Sequence, residues 1–309
     1  MIQDVSGKVA VVTGSARGIG AAMGKRFAES GMKVVLTDVL EEQLAQTVAE
    51  LQESGLEVFG FPSDVTSLGS MEALRDRVLE RYGAVHLLCN NAGVSSGAQG
   101  KMWEHDVNDW RWSVDVNVFG VVHGIKAFVP LMIEQGVDSH VVNTSSGNGG
   151  LVTLPAGAIY PTTKAAVVTI TECLWAQLKE IGASVGASVL FPSTRSGGLL
   201  KTGIWQPGTN RPAKYVREND PQPDGFDSLS TFLENMDKAG VEVKFASLEE
   251  IGELVIEGVR DDKFWISGND GQGMTAKLQQ RLESQLSGTL PSYLLGENMA
   301  SQSGGTPKK

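Results

Sequence analysis

Tyr160 and Lys164 stand four residues apart in a run, Ile159–Ile181, with helical patterning, so their side chains share one helix face. A free phenol titrates near ~10 and is a poor base at neutral pH. A neighbouring ammonium favours the phenolate and lowers that value. Such a tyrosine could pass a proton to or from an alcohol or carbonyl oxygen. Taken alone, the pair fits a helical tyrosine beside a solvated lysine at least as well. A second group of residues points to phosphate. Gly14, Gly18 and Gly20 sit in the run Thr13-Gly14-Ser15-Ala16-Arg17-Gly18-Ile19-Gly20 between an apolar segment and an amphipathic one. Glycines allow a tight turn and close approach of a phosphate, and the helix N-terminus that follows offers unpaired N–H groups. Asp38 ends the next apolar run, where a carboxylate suits the hydroxyls of an adenosine ribose.

These groups need a scaffold, and the chain alternates strand-like and helix-like runs that supply one. Strands are expected at Lys8–Thr13, Lys33–Asp38, Glu57–Phe61, His86–Asn90, Ser139–Thr144, Ser184–Phe191 and Phe264–Ser267. Helices are expected at Ile19–Ser30, Glu41–Ser54, Leu68–Tyr82, Trp110–Gln135, Ile159–Ile181, Leu248–Arg260 and Thr275–Leu286. Repeated strand–helix–strand units imply an α/β, Rossmann-type doubly wound parallel sheet of about seven strands with helices on both faces. The unbroken hydrophobicity of the strands fits burial on both sides. Residues 1–270 read as one domain, with 195–246, rich in Gly, Pro, Asn and Asp, as a loop-dominated insertion over the site. Residues 271–309 read as an extension with one helix and a disordered tail.

Composition narrows the function. The 309 residues are 41% hydrophobic and 20% charged, with a net charge of −10. That charge opposes nucleic acid and anionic membrane surfaces. Val141–Thr163 carries no charge, yet its Gly, Asn, Ser, Thr and Pro content is wrong for a membrane span. Without a basic region followed by an apolar run at the start, the chain reads as cytoplasmic. Cys89 and Cys173 both fall in apolar segments and are expected to be reduced core residues. His86, His105, His123 and His140 lack ligand spacing, so no catalytic metal is expected.

Together with Asn90-Asn91-Ala92-Gly93 and Asn143-Thr144-Ser145-Ser146-Gly147, these motifs resemble the short-chain dehydrogenase/reductase family, strongly over about residues 7–200. Within that family the chain looks similar to a bacterial subgroup that includes lignin-derived aryl-alcohol dehydrogenases. The resemblance implies a catalytic tetrad of Asn117, Ser146, Tyr160 and Lys164. In it Ser146 orients the reacting oxygen, Tyr160 exchanges the proton, and Lys164 lowers the tyrosine pKa and holds the nicotinamide ribose. Asn117 joins a water-linked proton relay. Ser146 lies 14 residues before Tyr160, one more than the family's commonest spacing, which implies a one-residue loop insertion; Ser145 is the alternative. Cofactor contacts are implied at Gly14, Ser15, Arg17, Gly18, Ile19, Gly20, Asp38, Asp64, Val65, Asn91, Ala92, Gly93, Tyr160, Lys164 and Pro192. After Pro192 the match weakens. Arg195 stands where the family has valine, and either reaches a phosphate or substrate carboxylate or lies solvated in a loop.

The implied reaction is hydride transfer between a nicotinamide dinucleotide and a secondary alcohol or ketone. Leu199–Trp205 and Arg211-Pro212-Ala213-Lys214-Tyr215 would overlie the nicotinamide, and Trp205, Phe226, Phe232 and Met236 either line an apolar pocket or anchor the lid. A bulky or aromatic substrate follows from the first option. Asp38 favours NAD, because its carboxylate repels the 2′-phosphate of NADP, whereas Arg17 argues for NADP. The alternatives are an NADP-dependent carbonyl reductase and a dinucleotide-sensing protein without turnover. The helices Trp110–Gln135 and Ile159–Ile181 are similar to the family's dimer-forming pair, which implies a homodimer or homotetramer.

Overall fold

A computed structural model describes residues 2–98, 100–153, 155–195, 197–206, 210–218, 228–238, 240, 242–268 and 271–295. Phe226, Ser196 and the tail expected to be disordered lie outside them. The strands β1 (Val9–Thr13), β2 (Lys33–Thr37), β3 (Val58–Gly60), β4 (Leu87–Asn90), β5 (Ser139–Thr144) and β6 (Val185–Leu190) form one sheet. A short pair, β7 (Leu199–Leu200) and β8 (Phe245–Ala246), stands apart, and β9 (Trp265–Ile266) completes the main sheet. The order is β3-β2-β1-β4-β5-β6-β9, all parallel. This is the doubly wound arrangement, whose order reverses between β1 and β4 and opens a crevice at the strands' C-terminal ends.

Two apolar layers hold the sheet. Ala10, Val12, Val34 and Leu36 point to one face, where Met23 and Phe27 of α1 (Gly18–Glu29) and Leu44 of α2 (Glu41–Glu53) meet them. Val9, Val11, Val35 and Val141 point to the other, against Leu74 of α3 (Leu68–Tyr82). Alternation along each strand therefore fills both faces, as a buried parallel sheet requires. The expected helix Trp110–Gln135 is instead α4 (Val107–Val114), a π-helical turn at Asp115–Phe119, and α5 (Gly120–Glu134). Phe128 and Met132 of α5 and Leu174 and Leu178 of α6 (Ile159–Glu180) finish the second layer.

The insertion is less loop-like than expected. It contains α7 (Leu229–Lys238), which buries Phe232 and Met236, besides β7 and β8. Gly and Pro content masks a ten-residue helix whose apolar residues recur at i and i+4. The regular pattern resumes with α8 (Glu249–Arg260), whose Ile251, Val255 and Val259 pack on the first layer. The last helix, α9 (Gly271–Ser287), begins four residues before the expected start. Cys89 is buried as expected, but Cys173 is exposed on α6, because it faces away from the stripe that buries Leu174 and Leu178.

A chain of buried amides ties β4 to β5 and to α6. Asn90 Nδ2 donates to Asn143 Oδ1 at 2.8 Å, and Asn143 Nδ2 donates to Thr171 Oγ1 at 3.0 Å. Truncating Asn143→Ala leaves Asn90 without its acceptor in the interior. We expect a loss of roughly 1–3 kcal/mol, measured by urea unfolding; an unchanged midpoint would mean the chain is not a structural tie.

Candidate active site

The crevice at the C-terminal ends of β1, β4 and β5 is a cleft of about 350 Å3. Along it lie Gly14, Arg17, Gly18, Ile19, Asp38, Asp64, Val65, Asn91, Ala92, Gly93, Tyr160, Lys164 and Pro192. The structure thus brings thirteen of the fifteen expected cofactor residues to one wall system. Ser15 and Gly20 are not among the lining. The Ser15 hydroxyl is buried and spent on the β1–β2 junction, donating to Val12 O at 2.8 Å and accepting from Thr37 N at 2.8 Å. Gly20 is buried within α1.

The glycine-rich turn leaves room by geometry. Gly14 has φ +64°, and a Cβ there would lie 2.6 Å from the Ala92 Cα, so only glycine lets the turns after β1 and β4 touch. Thr13 Oγ1 accepts N–H bonds from Asn91 and Ala92 at 2.9 and 3.0 Å, and Asn91 Nδ2 donates to Thr13 O at 3.0 Å. The loop that opens α1 is therefore fixed against the loop after β4. Asp38 is fixed as well: its carboxylate accepts from the N–H of Ala16 at 3.0 Å and of Leu40 at 3.2 Å. Arg17 leans toward the insertion, donating from Nη1 to Gln206 Oε1 at 3.1 Å.

The expected tetrad meets at the end of β5. Lys164 is buried and its Nζ donates to Thr144 O at 2.9 Å. Ser145 Oγ donates to the Lys164 backbone carbonyl at 2.7 Å, so the hydroxyl of the alternative serine is already committed to α6. Ser146 Oγ accepts from Asn148 N at 3.2 Å and stands near enough to Tyr160 to pull the phenol's titration down. The longer spacing between them is absorbed by a coiled turn at Gly147–Leu151. There Gly149, at φ +103°, passes so close to α6 that a Cβ would lie 2.1 Å from Pro161 O. Asn117 sits in the π-helical turn, fully buried. Its Oδ1 accepts from Val94 N at 2.8 Å, and its Nδ2 donates to Val94 O and Thr163 Oγ1, each at 2.9 Å. It braces the loop after β4 against α6; π-turns of this kind recur at functional sites.

Titration differs from the simple expectation. Burial pushes the Tyr160 phenol up to about 12, while its neighbour Ser146 pulls the other way. Burial pushes the Lys164 amine down to about 8. Lys164 was expected to lower Tyr160. Its ammonium lies 5.7 Å from the Tyr160 ring centre and is directed at Thr144 O, and burial is the larger influence on the phenol.

The substrate end holds residues that sequence reasoning missed, Val94, Trp112, Val116, Gln206 and Asn210, and Ile204 of the expected Leu199–Trp205 segment lines the cleft with them. Tyr215, already singled out in its motif, joins them, and its hydroxyl donates to Asp115 Oδ2 at 2.5 Å. Trp205, Phe232 and Met236 do not line it. Trp205 lies against Phe232 in a tilted pair with ring centres 4.4 Å apart and donates to Leu200 O at 2.8 Å, so these side chains anchor the insertion. Arg195 turns away from the cleft, its N–H donating to Glu250 Oε1 at 2.7 Å and its guanidinium pairing with Glu257.

A model of the short chain dehydrogenase family matches residues 8–198. The chain belongs to the short-chain dehydrogenase/reductase family. A solved member from Burkholderia phymatum, in complex with NAD, superposes with a TM-score of 0.82 at 37% identity, covering 93% of this chain and 97% of that one. A C alpha-dehydrogenase from Sphingobium sp. (strain NBRC 103272 / SYK-6) is 31% identical over 266 residues, 86% of this chain and 81% of its own. A metagenomic short-chain oxidoreductase, in complex with NADP, is 30% identical with a TM-score of 0.57, over 62% of this chain and 84% of that one. The protein is therefore an oxidoreductase, and its fold binds a nicotinamide dinucleotide.

The short-chain dehydrogenase site carries a stability signature. Unfolded, Lys164 binds its proton up to about 10.5; folded, only up to about 8. Between these values the unfolded chain holds more protons, so native stability rises with pH there, and below pH 8 the full penalty applies. Replacing Lys164→Met removes it. The stability difference between variant and wild type should move against the variant by up to ~3 kcal/mol from pH 7 to 10.5, read by denaturant unfolding at each pH. A difference independent of pH would contradict the burial of a titrating amine.

Proposed function

We propose that this enzyme interconverts a neutral secondary alcohol and a ketone with NAD, on a bulky or aromatic apolar substrate, in the cytoplasm. The observation that carries the reading is Tyr160 and Lys164 together on the cleft wall, with Ser146 beside the Tyr160 phenol. The residues fit a dinucleotide: a glycine turn that a Cβ would block, the N-terminus of α1, and a fixed carboxylate at Asp38. When bound, the nicotinamide ring accepts or gives the hydride.

The chain's own residues handle the oxygen and the proton. Ser146 donates a hydrogen bond to the reacting oxygen and orients it. Tyr160 takes the alcohol proton during oxidation and returns one to the oxygen during reduction. A phenol pushed up to about 12 stays protonated at neutral pH but is a weak acid, so catalysis in either direction needs it drawn down, and a positive charge in the cleft does this. Lys164, held at the cleft wall by its bond to Thr144 O, supplies one such charge and would hold the nicotinamide ribose when the cofactor is bound. Asn117, behind it, belongs to the path by which the proton reaches water.

The cofactor preference rests on Asp38. Its carboxylate accepts from ribose hydroxyls and repels a 2′-phosphate at close range, while Arg17 is engaged with Gln206. We expect NAD to exceed NADP by at least ~10-fold in kcat/KM, about 1.4 kcal/mol, and Asp38→Ser to narrow that ratio. Equal use of both by the wild type would give the deciding role to Arg17. A panel of aryl and alicyclic alcohols, followed at the reduced-cofactor absorption band, tests the reaction itself. Turnover should fall at least ~10²-fold in Tyr160→Phe, and a fully active variant would overturn the mechanism. For assembly we propose a homodimer or homotetramer; light scattering that finds only single-chain mass would refute it.

A further inference from the structure

The segment at residues 210–218 is bonded to α4 more densely than a closing lid requires. Asp109 of α4, with no exposed surface, receives two guanidinium groups. Arg211 Nη2 lies 2.5 Å from Asp109 Oδ1, and Arg217 Nε donates to both Asp109 oxygens at 3.1 Å. Both arginines also donate to Ser96 O, at 3.2 and 2.7 Å. Beyond this clamp, Asp106 Oδ2 accepts from Glu218 N at 2.7 Å, and Asn108 Nδ2 donates to Val216 O at 2.7 Å. Buried, multiply hydrogen-bonded ion pairs of this kind are costly to break one partner at a time.

The clamp holds two pocket walls. The Arg211 guanidinium lies 4.5 Å from the centre of the Trp112 ring, and Tyr215, four residues on, is pinned to Asp115. Both aromatic residues line the cleft. The charged residues that line it are Arg17, Asp38 and Asp64, from the loops after β1, β2 and β3, together with Lys164. Among the described residues the end formed by Val94, Trp112, Val116, Pro212 and Tyr215 has no charged side chain in its lining: both arginines are spent on Asp109, Asp115 accepts from the Tyr215 hydroxyl, and the exposed Lys214, 4.6 Å from the Tyr215 ring centre, does not line the cleft.

We infer that residues 210–218 are a fixed wall of the substrate pocket, and that Asp109, by gripping Arg211 and Arg217, is a positioning residue that makes the pocket select neutral ring-bearing alcohols over small ones. This rests on the alcohol reading above. A pre-formed aromatic wall gains most from a flat apolar group and little from a short alkyl chain. Asp109 touches no substrate; it acts through Trp112 and Tyr215.

The test uses the full-length protein, its Asp109→Asn variant and its Arg217→Gln variant, which keeps Arg211 on Asp109 should the first fail to fold. Hydrogen exchange of the protein alone should show residues 210–218 protected at least tenfold over a free chain, with protection lost in the variants. With NAD, each variant should lose at least fivefold more kcat/KM for 1-phenylethanol than for 2-propanol, through KM rather than kcat. Free-chain exchange in the wild type would overturn the fixed wall. Equal losses for the two alcohols, or losses confined to kcat, would overturn the role in selectivity. No turnover of any alcohol would sink the functional reading and the selectivity with it, while exchange would still decide whether the wall is fixed.

Discussion

Lys164 is the constraint around which the site is assembled. The last residue of β5 and the one after it grip it at both ends: Thr144 O accepts from its Nζ, and Ser145 Oγ donates to its backbone carbonyl. With α6 locked to the sheet edge in this way, Tyr160, one turn earlier, has a single place to be, and Ser146 follows Ser145 to meet it. A Cβ on Gly93 would come within 3.2 Å of Lys164 Nζ and 3.4 Å of Asn117 Oδ1, so the loop after β4 and the π-helical turn close on the same amine. An amine buried this deeply destabilises the fold at neutral pH, and such strain gathers where chemistry needs it.

Charge divides the cleft into two working halves. Toward α1, Arg17, Asp38 and Asp64 make the lining polar and charged, as a phosphate-bearing cofactor would require. Toward α4, the clamp on Asp109 and the Tyr215–Asp115 bond withdraw charge from an aromatic and aliphatic wall. Tyr160 and Lys164 stand at the boundary between these halves, where, on the proposed reading, a bound hydride source would meet a neutral carbon. Exclusion of water by that wall strengthens every hydrogen bond to the reacting oxygen.

Most of the sheet was legible because its signals are local. β-branched runs mark the strands, and the Thr13–Gly20 glycine pattern and the Tyr160/Lys164 spacing each lie within a single turn or loop. What escaped depends on distance or on a subtle period. Asp109 meets Arg211 and Arg217 across 102 and 108 residues, and nothing near Asp109 in the chain announces it. The π-helical turn at Asp115–Phe119 shifts the helical register by one residue within an apolar run that reads as continuous helix. α7 was hidden by the Gly- and Pro-rich composition around it, and the exposure of Cys173 by a helix in which apolar residues are not confined to one face.

The central claim is that one reacting oxygen is held by two hydroxyls at the end of β5. A crystal structure with NAD and a ring-bearing secondary alcohol tests it most directly. The alcohol oxygen should lie within ~3 Å of both the Tyr160 and Ser146 oxygens, with the ring against Trp112 and Tyr215. An alcohol oxygen bound instead to Asn210 or Tyr215, out of reach of Tyr160, would contradict it.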